Sequence, residues 1–208
     1  MWNKGLSYRE RHGILNMDTK QDEATSSTIN KAKYHHSLGL VFFPAFDWKI
    51  SETHPERQER LLYTRDQIVE EGLLDIPNIR EYNPIVADWD TIERVHVGAP
   101  DLESWVTEAH RVSAGGAIAA ADAVIRGEVD RAFALVRPPG HHAMAMVHGI
   151  RGFCTINIEA VMIQHIRQTY GIKRVAVVDT DVHHGDVLYI LAQDLWMNLV
   201  DLRPSVVI

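Results

Sequence analysis

The sequence predicts an α/β domain with a largely parallel sheet. Three observations lead there. Short apolar runs, strand-like in length, alternate with longer stretches of helical periodicity. The 208 residues are 46% hydrophobic and 24% charged, enough to bury a sizeable core in one domain or in part of a larger one. Two histidine-rich clusters, "RPPGHHA" (137–143) and "DTDVHHGD" (179–186), each follow or close an apolar run. Loops at the carboxyl ends of strands are where parallel sheets carry their sites.

Residues 1–37 are polar and irregular and read as an N-terminal arm or loop. "LGLVFFPAF" (38–46) is an apolar run broken by Pro44, as in a strand followed by a loop. "HPERQERLLYTRDQIVEEGLL" (54–74) reads as a helix, with Pro55 near its start, Leu61, Leu62, Ile68 and Val69 at helical spacing and Gly72 near its end. "TIERVHV" (91–97) is ambiguous. "DLESWVTEAHRVSAGGAIAAADAVIRGE" (101–128) is expected to be one long helix. Its glycines read as close packing, because GxGxxG is absent and no strand leads into the segment. "RAFALV" (131–136) is expected to be a buried strand, "CTINIEAVMIQHIRQTYG" (154–171) mostly helix, and "KRVAVVDTDV" (173–182) a second buried strand.

Charge and cysteine usage exclude several classes. The net charge of −7 argues against a nucleic-acid surface built on phosphate contacts. One cysteine, Cys154, permits no intrachain disulfide and excludes a thiolate-rich zinc site. The N-terminus lacks an apolar h-region and no apolar run reaches membrane-spanning length, so neither a signal peptide nor a membrane span is expected. A reducing cytoplasm is the expected setting.

Along a strand, residues i, i+2 and i+4 share a side. Asp179, Asp181 and His183 have that spacing. Carboxylates crowded at a buried strand end repel one another, and a cation relieves the repulsion. Asp with His and no Cys suits Zn²⁺ or Fe²⁺, with Mn²⁺ or Co²⁺ also admissible. An isolated D-x-H is ordinarily a hydrogen-bonded strand end; the adjoining "HHGD" and the second histidine pair shift the balance here. In "RPPGHH", Pro138 and Pro139 stiffen a turn and Gly140 permits close approach. A histidine paired with a carboxylate has its tautomer fixed and its basicity raised. His141 and His142 beside non-ligand acids would thus suit acid–base work, although a Pro-rich turn with exposed histidines is an equal reading of that motif alone.

Together, "RPPGHHA", "GFCTINIEA" (152–160) and "DTDVHHGD" resemble the zinc-dependent histone deacetylase family, which includes acetoin-utilisation and acetylpolyamine deacetylase proteins. "HPERQERL" (54–61) and "SAGGAIAAADAVI" (113–125) add weaker support. The resemblance covers roughly residues 38–186. It implies a three-layer α/β/α sandwich of the arginase/deacetylase type and zinc-dependent hydrolysis of acetyl-lysine, or of an acetylated small amine, with release of acetate. Carried over by motif, it makes Asp181 and His183 zinc ligands and His142 the general base and later acid. His141 would assist electrostatically. Asp179 would bond His141, and Asp186 would bond His142. Gly152 and Phe153 would line a tunnel for the acetyl-lysine stem. Asp179, Asp181 and the His183 carbonyl would also help hold a structural K⁺.

Two family features have no recognisable counterpart: a second aspartate ligand downstream of the D-x-H, and a later tyrosine that bonds the substrate carbonyl. After Asp186 the sequence becomes "VLYILAQDLWMNLVDLRPSVVI", a divergent apolar tail (187–208) in which Asp194 and Asp201 are candidate replacement ligands but read more readily as ordinary surface acids. The C-terminal part of the family domain is therefore expected to be missing. The resulting open sheet edge and apolar helix faces predict aggregation, partial folding or pairing into a homo-oligomer. The alternative function is a catalytically incomplete member acting as a non-enzymatic or binding protein. An arginase-like binuclear hydrolase shares the broad fold but needs further Asp-rich motifs. Cys154 is rejected as a nucleophile, because it lies within the tunnel-wall motif as a buried apolar residue.

Overall fold

The computed structural model describes residues 36–96 and 101–185. Its centre is a three-stranded parallel sheet in the order β2-β1-β3, built from β1 (Leu38–Phe43), β2 (Ile79–Tyr82) and β3 (Arg131–Val136). The helices are α1 (Gln58–Glu70), α2 (Trp89–Val95), α3 (Leu102–Trp105), α4 (Glu108–Ile125) and α5 (Ile158–Tyr170). A single 3₁₀ turn, Leu73–Asp75, follows α1. None of the described helices is long and apolar enough to cross a membrane.

Side-chain alternation along β1 sets three layers. Leu40 packs with Leu135 and with Leu61 of α1 on one face. Val41 points to the other face, where α4 presses so closely that a Cβ on Gly116 would fall 2.7 Å from Val136 and 3.5 Å from Val41. Gly115 is likewise packed against the Ile85 carbonyl. The glycines of "SAGGA" therefore serve close approach, as the sequence suggested. α5 covers α4, and Ile118, Ile156, Ile158 and Val161 join one core beneath the two helices.

Several elements differ from expectation. The stretch 101–128 is two helices, because Thr107 caps the second. The Thr107 side chain and the His110 side chain at N3 form a reciprocal capping box, which ends α3 at Trp105. α1 is shorter than 54–74; Gly72, at φ 70°, turns the chain after it. The ambiguous 91–97 run lies largely in α2, and β2 had no sequence expectation. α5 begins at Ile158, where Asn157 accepts from the Ala160 amide at 2.9 Å, a cap of about 1 kcal/mol. β3 has its expected bounds but is less buried than expected, with Phe133 51% exposed.

The largest correction is at 173–182: residues 171–180 contain neither helix nor strand. Val175 and Val177 pack on Met162 and Ile163. The apolar pattern is thus satisfied by side-chain burial against α5, without ladder bonds to the sheet. The expected arm, all but its last two residues, and the tail at 187–208 lie outside the described residues.

Candidate active site

β1 and β3 run in register to their ends, with Phe43 opposite Val136. The chain leaves both strands at the same edge of the sheet, so Pro44–Ala45 and Arg137–Pro138 emerge side by side. "RPPGHH" then turns over the N-terminus of α5. Ser113 of α4 donates to the Pro138 carbonyl at 2.8 Å. At Gly140 a Cβ would collide with the Ile158 amide and lie 2.7 Å from Glu159 Oε2. Only glycine lets the turn sit this low and deliver the two histidines above α5.

His141 Nδ1 lies 2.7 Å from Asp179 Oδ2, and both side chains are mostly buried. The carboxylate can only accept, so Nδ1 is the donor and the pairing fixes the orientation of the ring. The His141 and His142 rings are 4.0 Å apart, and the His142 and His183 rings 6.1 Å. Asp181 Oδ1 lies 2.9 Å from His183 Nδ1 and accepts from the His183 amide at 2.8 Å. That amide bond is the main cause holding the Asp181 carboxyl below the usual carboxylate range. The Asp179 carboxylate also accepts from the Asp181 amide at 3.1 Å. At Gly185 a Cβ would strike Asp179 Oδ2, so the glycine of "HHGD" gives that carboxylate its place. Asp186 lies outside the described residues.

Gly152 passes against the His142 ring, where a Cβ would overlap Cδ2. Phe153, at φ 72°, stands 41% exposed with its ring edge-on to His54 at 4.4 Å. A cavity of about 430 Å³ opens beside His141, lined also by Gly140, Glu159, Val177, Asp179 and Asp181. Glu159 Oε2 has no hydrogen-bond partner there, and burial raises its pKa. Gly152 and Phe153 do not line this cavity. Cys154 is buried, its pKa pushed up to about 12 by burial, as suits a packed residue rather than a nucleophile.

The donor chemistry fits a divalent transition ion in part. Asp181 and His183 converge as one oxygen and one nitrogen donor. Among the described residues, no group of three His, Cys, Asp or Glu side chains is arranged to hold a metal ion. A catalytic zinc usually takes three protein ligands, one more than this pair of donors offers.

Sequence reasoning assigned no role to His54, Glu56, Arg137, Glu159 or Gly185. All five stood inside quoted motifs, but the partners of Arg137 are up to 93 residues away, beyond the reach of local spacing.

The fold and site define a hydrolase class: an α/β domain that gathers paired histidines, carboxylates and a D-x-H at one end of a parallel sheet. Residues 101–194 match the histone deacetylase domain. A probable deacetylase of Archaeoglobus fulgidus is 37% identical over 167 residues, covering 71% of this chain and 46% of that protein. Mouse polyamine deacetylase HDAC10 is 32% identical, with 71% of this chain and 25% of that protein covered. The crystal structure of the HDA15 HD domain superposes with a TM-score of 0.65 at 27% identity, over 79% of this chain and 53% of that one. The chain belongs to the histone deacetylase family, a family of deacetylases and amidohydrolases. It spans about half or less of the length of these relatives.

Proposed function

We propose that this chain carries the D-x-H and double-histidine half of a zinc-dependent deacetylase site, which hydrolyses acetyl-lysine in a protein or an acetylated small amine and releases acetate. The observation that carries the reading is the grouping of His141–Asp179, His142 and Asp181–His183 within touching rings at one sheet end. Zinc held by Asp181, His183 and a third ligand outside the described residues would supply carbonyl polarisation and an acidic bound water.

The chain's own residues do the rest. His142 takes the water proton and returns it to the leaving amine. His141, fixed by Asp179, favours the anionic intermediate electrostatically. Phe153 and the Gly152 backbone flank the acetyl-lysine stem beside His142. A cytoplasmic setting belongs to the same proposal, supported by a single cysteine that can form no intrachain disulfide. A second reading, binding without turnover, is favoured by the two-donor count among the described residues.

Zinc content and turnover of an acetyl-lysine peptide, measured together, test the roles. His142→Ala is expected to lose turnover by about 10²–10⁴-fold while keeping its zinc, and Asp181→Ala to lose the metal. Zinc lost from His142→Ala would make His142 a ligand and sink the assignment.

A further inference from the structure

Arg137 is among the largest side chains with no exposed surface, and its charge is spent within the loop that follows β1. Its guanidinium donates to the carbonyls of Pro44 (2.7 Å), Ala45 (2.8 Å), Trp48 (3.2 Å) and Glu56 (3.4 Å) and to Glu56 Oε1 at 3.1 Å. It lies over the Trp48 ring at 5.0 Å. The loop so held returns past the site. The Glu56 amide donates to His54 Nδ1 at 3.0 Å, which orients the His54 ring edge-on to Phe153. Phe153 follows Gly152, whose backbone lies against His142.

Backbone strain marks both ends of this path. Among the described residues, the two non-glycine positions with left-handed backbone are Ala45 (φ 49°) and Phe153 (φ 72°). Such conformations persist where surrounding contacts over-determine them, and they gather at functional sites. Arg137 clamps the Ala45 carbonyl, and His54 abuts Phe153.

We propose that Arg137 and Glu56 are positioning residues, which set the His54–Phe153 wall beside His142 and thereby the admission of the substrate chain. What passes the wall rests on the deacetylase reading; the wall itself does not. A fork of planar donors suits this task, because it satisfies several carbonyls and a carboxylate at once, and lysine cannot replace it. His54 is the link through which the loop meets Phe153.

Amide exchange measured by NMR on the full chain tests the path. The Arg151 and Cys154 amides each donate to the other's carbonyl, at 2.8 and 2.9 Å, and report on the wall without touching Arg137. Arg137→Lys and His54→Ala are both expected to speed exchange at these two amides by about tenfold over any change elsewhere in the domain. Arg137→Lys should also expose the Glu56 amide. Ile163→Ala, in the core of α5, serves as a control for general loosening. If the protein turns over an acetyl-lysine peptide, both variants should raise KM severalfold with kcat within about twofold. Unchanged Arg151 and Cys154 exchange in His54→Ala, or an Arg137→Lys pattern no different from Ile163→Ala, overturns the proposal. If Arg137→Lys fails to fold, the His54→Ala arm decides. Absence of wild-type turnover would count against the deacetylase reading and leave the exchange result decisive for the wall.

Discussion

Gly140 has no room for a methyl group. A Cβ there would meet the Ile158 amide and stand 2.9 Å from Ile158 Cγ1, and neither backbone nor helix can step aside cheaply. Gly140→Ala is expected to lower stability by about 1–3 kcal/mol, read as a fall in the denaturant midpoint; an unchanged midpoint would show that the turn does not press on α5 as described. Cys154 makes the opposite kind of test. Its thiol is buried, donates to the Gly152 carbonyl at 3.4 Å and has its pKa raised to about 12, so little thiolate exists near neutral pH. A colourimetric disulfide reagent is expected to leave the native thiol unmodified and to titrate one thiol after unfolding. Rapid native modification would contradict the packing around Cys154. The candidate residues were legible at this scale because chemistry-bearing residue types stand close together in "RPPGHH" and "DTDVHHGD". Glu56 and His54 were not, since what gives them meaning is Arg137, about 80 residues along the chain.

Among the elements, α4 shows how local chemistry outranks periodicity. The helical pattern of 101–128 is continuous, but Thr107 and His110 satisfy one another's backbone and restart the helix. The arrangement leaves His110 almost wholly buried and edge-on to Trp48. Burial depresses its pKa from the ordinary 6.5 to about 4. As pH falls, the unfolded chain takes up that proton first. The contribution of neutral His110 is therefore complete above about pH 6.5 and is lost as pH falls toward 4. A chain with Gln at this position keeps an acceptor for the capping box and cannot titrate. His110→Gln is expected to flatten the fall in melting temperature between these pH values; an unaltered slope would contradict the assignment. The segment 173–182 fails in the other direction. Its valines carry a strand's pattern, yet burying Val175 and Val177 against α5 meets the same apolar demand. Pattern reports burial and leaves hydrogen-bond partners undetermined. β2 escaped notice because four residues, with two exposed, make too short a signal.

For the whole molecule, the strand–helix alternation was enough to predict a parallel α/β sheet, and register explains why the site forms. β1 and β3 end level, so the loops that carry Arg137, the histidine pair and the Glu56 segment meet at one edge. Beyond the sheet, β3 presents a half-exposed Phe133, and the 171–185 segment lies against α5 with Val182 almost fully exposed. The central proposal, that this chain contributes a deacetylase site, is tested most directly by hydrolysis of a fluorogenic acetyl-lysine peptide. The assay uses the purified 208-residue chain with added zinc, and Asp181→Ala serves as the blank. Turnover above that blank is the predicted result, and it would mean that a third ligand completes the site. Turnover equal to the blank, from protein shown to be folded, would contradict the claim and leave the family fold as a binding protein.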